Sequence, residues 1–366
     1  MTQTIEELFC EMVRIDSESG NEAPFLEFVS AWLEKELGAA CELDDHGNLI
    51  AHLDAAGSDA PALFLAAHGD TVKPGVGIDP VVEDGVIRSA GDTILGADDK
   101  AGLAAIIEAI RTAARRPAVD IVVTRGEEIG LIGAKNLDTS KIRAKRGVVV
   151  DTDRLDAVIL GGPTHATLDI TVTGKAAHAA MPEGGVSAIR AAAHGITRFS
   201  EGKLDEESVA NVGTIQGGLI RNGVPETVTI QAECRSLDHE KCERQAEAMR
   251  RAFEEAAAEM GATADVDVQF AYRATKVDED APLVQAARAA IASGGLEPKT
   301  EVILGGTDAL VLTGRGLEAV VLGFGGQGAH STDEEIAVDE LAKAAEILRH
   351  LLERLADGLD APETPS

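Results

Sequence analysis

Four short apolar runs in this chain each end in a group of acidic or imidazole side chains. PALFLAA (61–67) leads into His68-Gly69-Asp70, and AVDIVVT (118–124) into Arg125-Gly126-Glu127-Glu128. RGVVV (146–150) leads into Asp151-Thr152-Asp153, and LEAVVLGF (317–324) into a glycine loop that reaches His330. A run such as PALFLAA suits a strand buried on both faces, and strands alternating with helices indicate a mostly parallel α/β sheet. Ligand sites in open parallel sheets form beyond the carboxyl ends of the strands. The pattern therefore predicts that the four groups meet in one crevice, joined by Asp98 at the mouth of a helix over 101–115. Taken singly, each has a plainer explanation. An acidic residue after a strand is usually a helix cap or a solvated loop residue, and a lone histidine is usually structural. The argument rests on their shared position.

The rest of the chain first supports this pattern and then breaks it. Ile5, Leu8, Phe9, Met12 and Val13 recur at helical spacing, as do Phe25, Phe28, Val29, Trp32 and Leu33. CELDDHGNLIAHLD reads as two short strands around the turn-rich Asp45-His46-Gly47-Asn48, and 73–91 as a glycine-rich loop. Near 164 the apolar period drops to two. LDITVTG (168–174), a helix over 186–199, strands at 210–217 and 226–234, a helix over 239–260 and a strand at 264–270 form a compact α+β module in the ferredoxin-like order. A helix over 282–293, strands at 301–304 and 317–324, and a last helix with Leu341, Ala345, Leu348, Leu352 and Leu355 on one stripe restore the α/β character. The expected organisation is a discontinuous catalytic domain over 1–163 and 276–366, interrupted by a lid or dimerisation domain over 164–275. The polar tail DGLDAPETPS is expected to fray.

Length and charge narrow the function. The 366 residues are enough for two domains with their own cores. With 63 acidic and 33 basic side chains the net charge is −30, which repels nucleic acid and anionic membranes. No apolar run approaches the roughly 18–20 residues that span a bilayer. MTQTIEELFCEMVRIDSESG lacks both a basic n-region and a long apolar h-region, so the expectation is a soluble cytoplasmic protein with no nucleic-acid or membrane partner. Cys10, Cys41, Cys234 and Cys242 contain no CxxC pair and read as reduced structural thiols.

If the strand-end groups converge, electrostatics asks for cations. His68, Asp98, Glu128, Asp151 and His330 would bring three carboxylates together, with Glu127 and Asp70 close by. Such a cluster does not stay fully ionised at neutral pH without metal. Two divalent ions would balance it, lowering the pKa of a water and polarising a scissile carbonyl, while a carboxylate that is not a ligand serves as general base. The stretch Gly323 to Gly328 fits G-x-G-x-x-G after a strand, but His330-Ser331-Thr332 follows where a dinucleotide fold needs a helix. It reads as a loop delivering His330. Neither a G-x-S-x-G elbow nor a cysteine placed beside a histidine is present.

Six strings then fall in a known order: HGDTV (68–72), ILGADDKAG (94–102), RGEEIGLIGAK (125–135), VDTD (150–153), GKAAHAAMPEGG (174–185) and GAHST (328–332). Over nearly its whole length the chain resembles the M20 family of metallopeptidases, and within it the peptidase T-like, tripeptidase-like branch. The resemblance implies a zinc-exopeptidase-type domain interrupted by a lid. It implies that Asp98 bridges two divalent ions, most often Zn2+ with Co2+ or Mn2+ as substitutes. His68 and Asp151 would complete one ion, Glu128 and His330 the other. Glu127 would be the general base, Asp70 would hold the His68 ring in its ligating tautomer, and the Asp98–Asp99 peptide would be cis.

From the lid, His178 would help hold the developing oxyanion, Arg235 would clamp a substrate carboxylate, and Asn222 would lie near the substrate backbone. A surface ion pair of Arg235 with Asp238 or Glu240 is the plainer alternative. Aspartate at 151 matches the aminopeptidase-like members, whereas many deacylases and carboxypeptidases carry glutamate there. Departures include Thr307-Asp308-Ala309-Leu310, where relatives often have Ser-Asp-Ala-Asn, and Arg125-Gly126 ahead of the glutamate pair. The expected function is a di-zinc exopeptidase releasing the N-terminal residue of tripeptides, with homodimerisation through the lid. The alternatives are an amidohydrolase or carboxypeptidase acting on N-acyl amino acids or N-blocked peptides, and a catalytically silent, metal-stabilised binding protein. The last would have no need of Glu127.

Overall fold

The structure is a computed structural model that describes residues 3–358. The tail beyond them, expected to fray, lies outside the described residues. The chain divides into two compact units. One comprises Met1–Gly161, Lys276–Val302 and Thr307–Ser366, and the other Gly162–Thr275 with Ile303–Gly306.

The first unit begins with α1 (Ile5–Val13) and α2 (Ala23–Trp32). Thr4 starts α1 with a capping box: its hydroxyl accepts from the Glu7 N–H while the Glu7 carboxylate accepts from the Thr4 N–H. Strands β1 (Ala40–Leu43) and β2 (Leu49–Leu53) form the expected hairpin. Asp44 organises its turn by accepting the His46 and Asn48 N–H groups at 2.9 Å each. β3 (Leu63–His68) is buried throughout. Next come β4 (Pro80–Glu83), β5 (Val86–Ser89), α3 (Ala97–Thr112), β6 (Val119–Thr124), α4 (Ile132–Asn136), β7 (Arg146–Val150) and β8 (Ala157–Gly162).

The chain then builds the second unit from β9 (Thr164–Thr173), β10 (Ala177–His178), α5 (Ala188–Ile196), β11 (Gly202–Asp205), β12 (Ser208–Gly217), β13 (Gly223–Val224), β14 (Thr227–Ser236), α6 (His239–Glu259) and β15 (Thr263–Tyr272). Its sheet runs β11-β12-β14-β9-β15, and the pairs are antiparallel. Burial alternates along β9 and β14. Ala166, Leu168, Ile170, Val172, Val228, Ile230 and Cys234 pack with residues of α5 and α6 in one core, which is the period-two signal seen in the sequence.

The first unit resumes with β16 (Thr275–Lys276), α7 (Pro282–Ser293), β17 (Lys299–Val302), α8 (Asp308–Gly314), β18 (Glu318–Leu322), β19 (Glu335–Ala337) and α9 (Val338–Leu355). Its main sheet has the order β1-β2-β6-β3-β7-β18-β8-β16, with β17 paired to β8. The central four, β6, β3, β7 and β18, are adjacent and parallel. These are the four runs that end in acid and imidazole groups, so their carboxyl ends lie at one edge. The α9 stripe of Leu341, Ala345, Leu348, Leu352 and Leu355 is buried, and α9 packs on α3.

The 73–91 segment differs from its reading as a loop. Its middle folds into the β4-β5 hairpin, turning on Asp84 and Gly85 at φ 51° and 79°, with β19 as third strand. An Asp-Gly pair between β-prone residues is the local signal for such a turn. Helices α4 and α8 are absent from the sequence reading because five and seven residues are too few to show a helical period.

Candidate metal centre

Each candidate ligand is placed by the element that precedes it. His68 is the last residue of β3, and Asp151 follows β7. Asp98 lies in the first turn of α3 with non-helical angles (φ −81°, ψ 104°), and the Asp98–Asp99 peptide is cis. His330 sits in the loop after β18 at φ 64°.

The Asp98 carboxylate stands between two imidazoles. Its Oδ1 is 3.0 Å from His68 Nε2, and its Oδ2 is 3.3 Å from His330 Nε2. Asp151 Oδ1 lies 3.9 Å from His68 Nε2, and Glu128 Oε1 lies 2.9 Å from His330 Nε2. Donor atoms of His68, Asp98 and Glu128 fall within 4.8 Å of one another, as do those of His68, Asp99 and Asp151. The second grouping brings in Asp99, which the resemblance does not use. Its Oδ2 accepts the His68 backbone N–H at 3.2 Å, and its Oδ1 is buried with no hydrogen-bond partner among the described residues.

Asp70 serves the neighbouring turn more than the ring. His68 Nδ1 is 3.0 Å from the Asp70 backbone carbonyl and 3.4 Å from its carboxylate. Donation to that carbonyl puts the proton on Nδ1 and leaves Nε2 facing the cluster. The Asp70 carboxylate accepts from Ser19 Oγ at 2.7 Å, Glu127 N at 2.9 Å and Glu128 N at 3.2 Å. From the other side, buried Glu22 accepts the Gly126 N–H at 3.1 Å and pairs with Arg125 at 3.0 Å. The glutamate turn is thus held by two carboxylates, and Arg125 is absorbed by one of them. Sequence reasoning misses Ser19 and Glu22, because nothing local marks a partner 103 residues away.

Charge balance in the cluster is unfavourable on its own. Burial, with Asp98 nearby, pushes the Asp151 carboxyl up to about 8. Burial and the Asp151 charge push Glu127 up to about 10. Burial opposes ionisation of Asp98, yet its contacts with His330 and His68 hold it below the usual carboxylate range. The Asp98 contact raises His330 to about 9. Two imidazoles, several carboxylates and an orphaned buried oxygen form a nitrogen–oxygen donor set without thiolate. That set suits Zn2+, Co2+ or Mn2+ and would be relieved by positive charge.

Behind the cluster, Asp308 is buried and accepts from Thr124 Oγ1, and burial pushes it up to about 6. Leu310 is buried in α8.

In the second unit, β10 pairs with β13, and Ala179 N–H donates to the Asn222 carbonyl at 2.9 Å, so His178 and Asn222 are neighbours. His178 is exposed, and its Nδ1 accepts from the Ala180 N–H at 3.1 Å, which leaves Nε2 as the donor. Arg235 does not pair as its plainer reading expects. It donates to Glu233 at 3.1 Å and to the Leu304 carbonyl at 3.2 Å. Asp238 instead caps α6, and Glu240 faces Arg244. The His165 hydrogen bond, with Arg235 adding to it, holds Glu233 at about 2 against partial burial.

A mainly parallel sheet whose strand ends gather imidazoles and carboxylates in this way defines a metallohydrolase. The sequence model of peptidase family M20/M25/M40 matches residues 64–354, and the chain belongs to that family. It is a peptidase. The chain is 39% identical to the uncharacterized protein YqjE of Bacillus subtilis, over 96% of this chain and 98% of that one. Its structure matches aminopeptidase PepT from Bacillus cereus at TM-score 0.87 and 40% identity, covering 96% of this chain and 99% of that one. It matches a tripeptidase from Staphylococcus aureus at TM-score 0.92 and 34% identity, covering 97% and 98%. Among the described residues, no helix is long and apolar enough to cross a membrane.

Proposed function

We propose that the protein is a di-zinc exopeptidase that releases the N-terminal residue of tripeptides, with Glu127 as general base. The observation that carries this reading is the Asp98 carboxylate, which turns one oxygen to each of two imidazoles. His68 and Asp151 would hold one ion, His330 and Glu128 the other, and Asp98 both. Divalent ions held by these residues would supply a lowered water pKa and polarisation of the scissile carbonyl. Glu127 takes the proton from the attacking water and returns it to the leaving amine. Its backbone is fixed by Asp70, and among the described residues no hydrogen bond ties down its carboxylate.

From the second unit, acting as a lid, His178 is proposed to donate to the developing oxyanion. Arg235 would hold the substrate carboxylate and Asn222 its backbone. Homodimerisation through that unit and a cytoplasmic location belong to the same proposal. The similarity to an aminopeptidase and a tripeptidase supports the choice of substrate.

A panel of free tripeptides, N-blocked peptides and N-acetyl amino acids, assayed with added Zn2+, Co2+ or Mn2+, tests it. Free tripeptides are expected to lose their first residue, with activity abolished by a chelator and restored by metal. Preference for N-blocked substrates would turn the reading to an amidohydrolase or carboxypeptidase. Metal binding without turnover of any class would turn it to a binding protein.

A further inference from the structure

Glu334 is a buried carboxylate that neither the resemblance nor the proposed mechanism uses. It is 3% exposed, and its oxygens converge on the start of α3. Oε2 accepts the Leu95 N–H at 2.8 Å and the Gly96 N–H at 2.6 Å, and Oε1 accepts the Asp98 N–H at 3.0 Å. The first turn of a helix leaves N–H groups without intrahelical partners, and a residue just before the helix usually supplies the acceptor. Here the residue before α3 is Gly96, which has no side chain to offer. The acceptor comes from 236 residues further along the chain.

That distant segment carries His330. Between His330 and Glu334 the chain is folded tightly: Ser331 N–H donates to the Gly328 carbonyl at 3.1 Å, and Glu334 N–H to the Ser331 carbonyl at 3.2 Å. Beyond Glu334, β19 is anchored on β5. One carboxylate therefore ties together the two segments whose side chains meet as His330 Nε2 and Asp98 Oδ2 at 3.3 Å. A cap at position 96 could accept the Asp98 N–H but would leave the His330 loop unattached.

We propose that Glu334 is a positioning residue that locks the Asp98 turn to the His330 loop and so sets the spacing of the metal positions. This rests on the metal-centre reading above. Glu334→Gln isolates the effect, because an amide has one acceptor oxygen. That oxygen serves Leu95 and Gly96 together, and the amide nitrogen then faces the Asp98 N–H and leaves it unpaired.

The test is calorimetric titration of Zn2+ into the chelator-treated full-length protein, with thermal unfolding recorded in parallel. Wild type is expected to bind two ions. E334Q is expected to bind at least one of them about 10–100-fold more weakly, the range seen when groups supporting a ligand are removed. Asp120→Asn is the control. Asp120 is a buried carboxylate holding the Arg143 and Ala144 N–H groups, and it touches no candidate ligand. It is expected to lower the unfolding midpoint while leaving the ion affinities unchanged. E334D keeps the charge but is one methylene short, and it is expected to fall between E334Q and wild type. If E334Q does not fold, E334D alone decides: weakened binding supports the role, and wild-type affinity overturns it. Wild-type affinities in E334Q, or equal weakening in D120N, also overturn it. A wild-type protein that binds no ion overturns the metal-centre reading itself.

Discussion

Glu127→Gln is expected to lower kcat by about 10²–10⁴-fold, the usual contribution of a positioned general base, while the protein keeps its fold and its bound metal. Three features make this substitution clean. Glutamine has nearly the same shape as glutamate, so the turn does not need to rearrange. The anchor of that turn is the Glu127 backbone N–H, held by Asp70 at 2.9 Å, and the side-chain change does not touch it. In the proposed assignment the candidate ligands are His68, Asp98, Glu128, Asp151 and His330, so none is lost. The variant should therefore bind two ions per chain with an unchanged unfolding midpoint, and KM for a tripeptide should stay close to wild type. Metal analysis and steady-state kinetics on one preparation decide the matter. Undiminished turnover with both ions bound would falsify the assignment of Glu127.

Gly102→Ala is expected to damage fold and site together. A Cβ at Gly102 would lie 2.1 Å from Asp99 Oδ1 and 2.3 Å from the Val150 carbonyl oxygen. Neither neighbour can yield cheaply. Asp99 is fully buried in the first turn of α3, and Val150 is the last residue of a central strand, immediately before Asp151. Relief requires α3 to move away from β7, which carries Asp98 away from Asp151. Overpacking of this kind costs about 1–3 kcal/mol or more, a sizeable share of a total stability of roughly 5–15 kcal/mol. The unfolding midpoint should fall by about 2–6 °C, and metal affinity should fall with it. Thermal unfolding with and without Zn2+ reads both effects. A variant with wild-type midpoint and affinity would show that the close approach of α3 to β7 is not required.

Much of this was legible in the sequence. The strands β3, β6, β7 and β18 show as apolar runs because each is buried on both faces, and the second unit shows as period two because its sheet is covered on one. The hairpin over 80–89 is missed in favour of a loop, although Asp84-Gly85 is a local turn signal among β-prone residues. Other parts were not legible. Glu22 and Glu334 look like ordinary surface acids in sequence, yet each is buried and accepts backbone N–H groups, and Asp70, expected to serve the His68 ring, also accepts the Glu127 and Glu128 N–H groups. Arg235 shows the same limit, because its partner is Glu233 on its own strand and not the acids after it.

The sequence by itself determined the fold class and the family, and it named His68, Asp98, Glu128, Asp151 and His330 as candidate metal ligands. Periodicity, turn chemistry and ligand type are local properties, and six short strings in order are enough to read them. Only the tertiary structure decided which Asp98 oxygen faces which imidazole, and which carboxylates hold the backbone in place of facing the cluster. Those choices depend on contacts between segments as far as 239 residues apart. Packing sets such contacts by bringing a donor and an acceptor to hydrogen-bonding distance, and no local propensity records it.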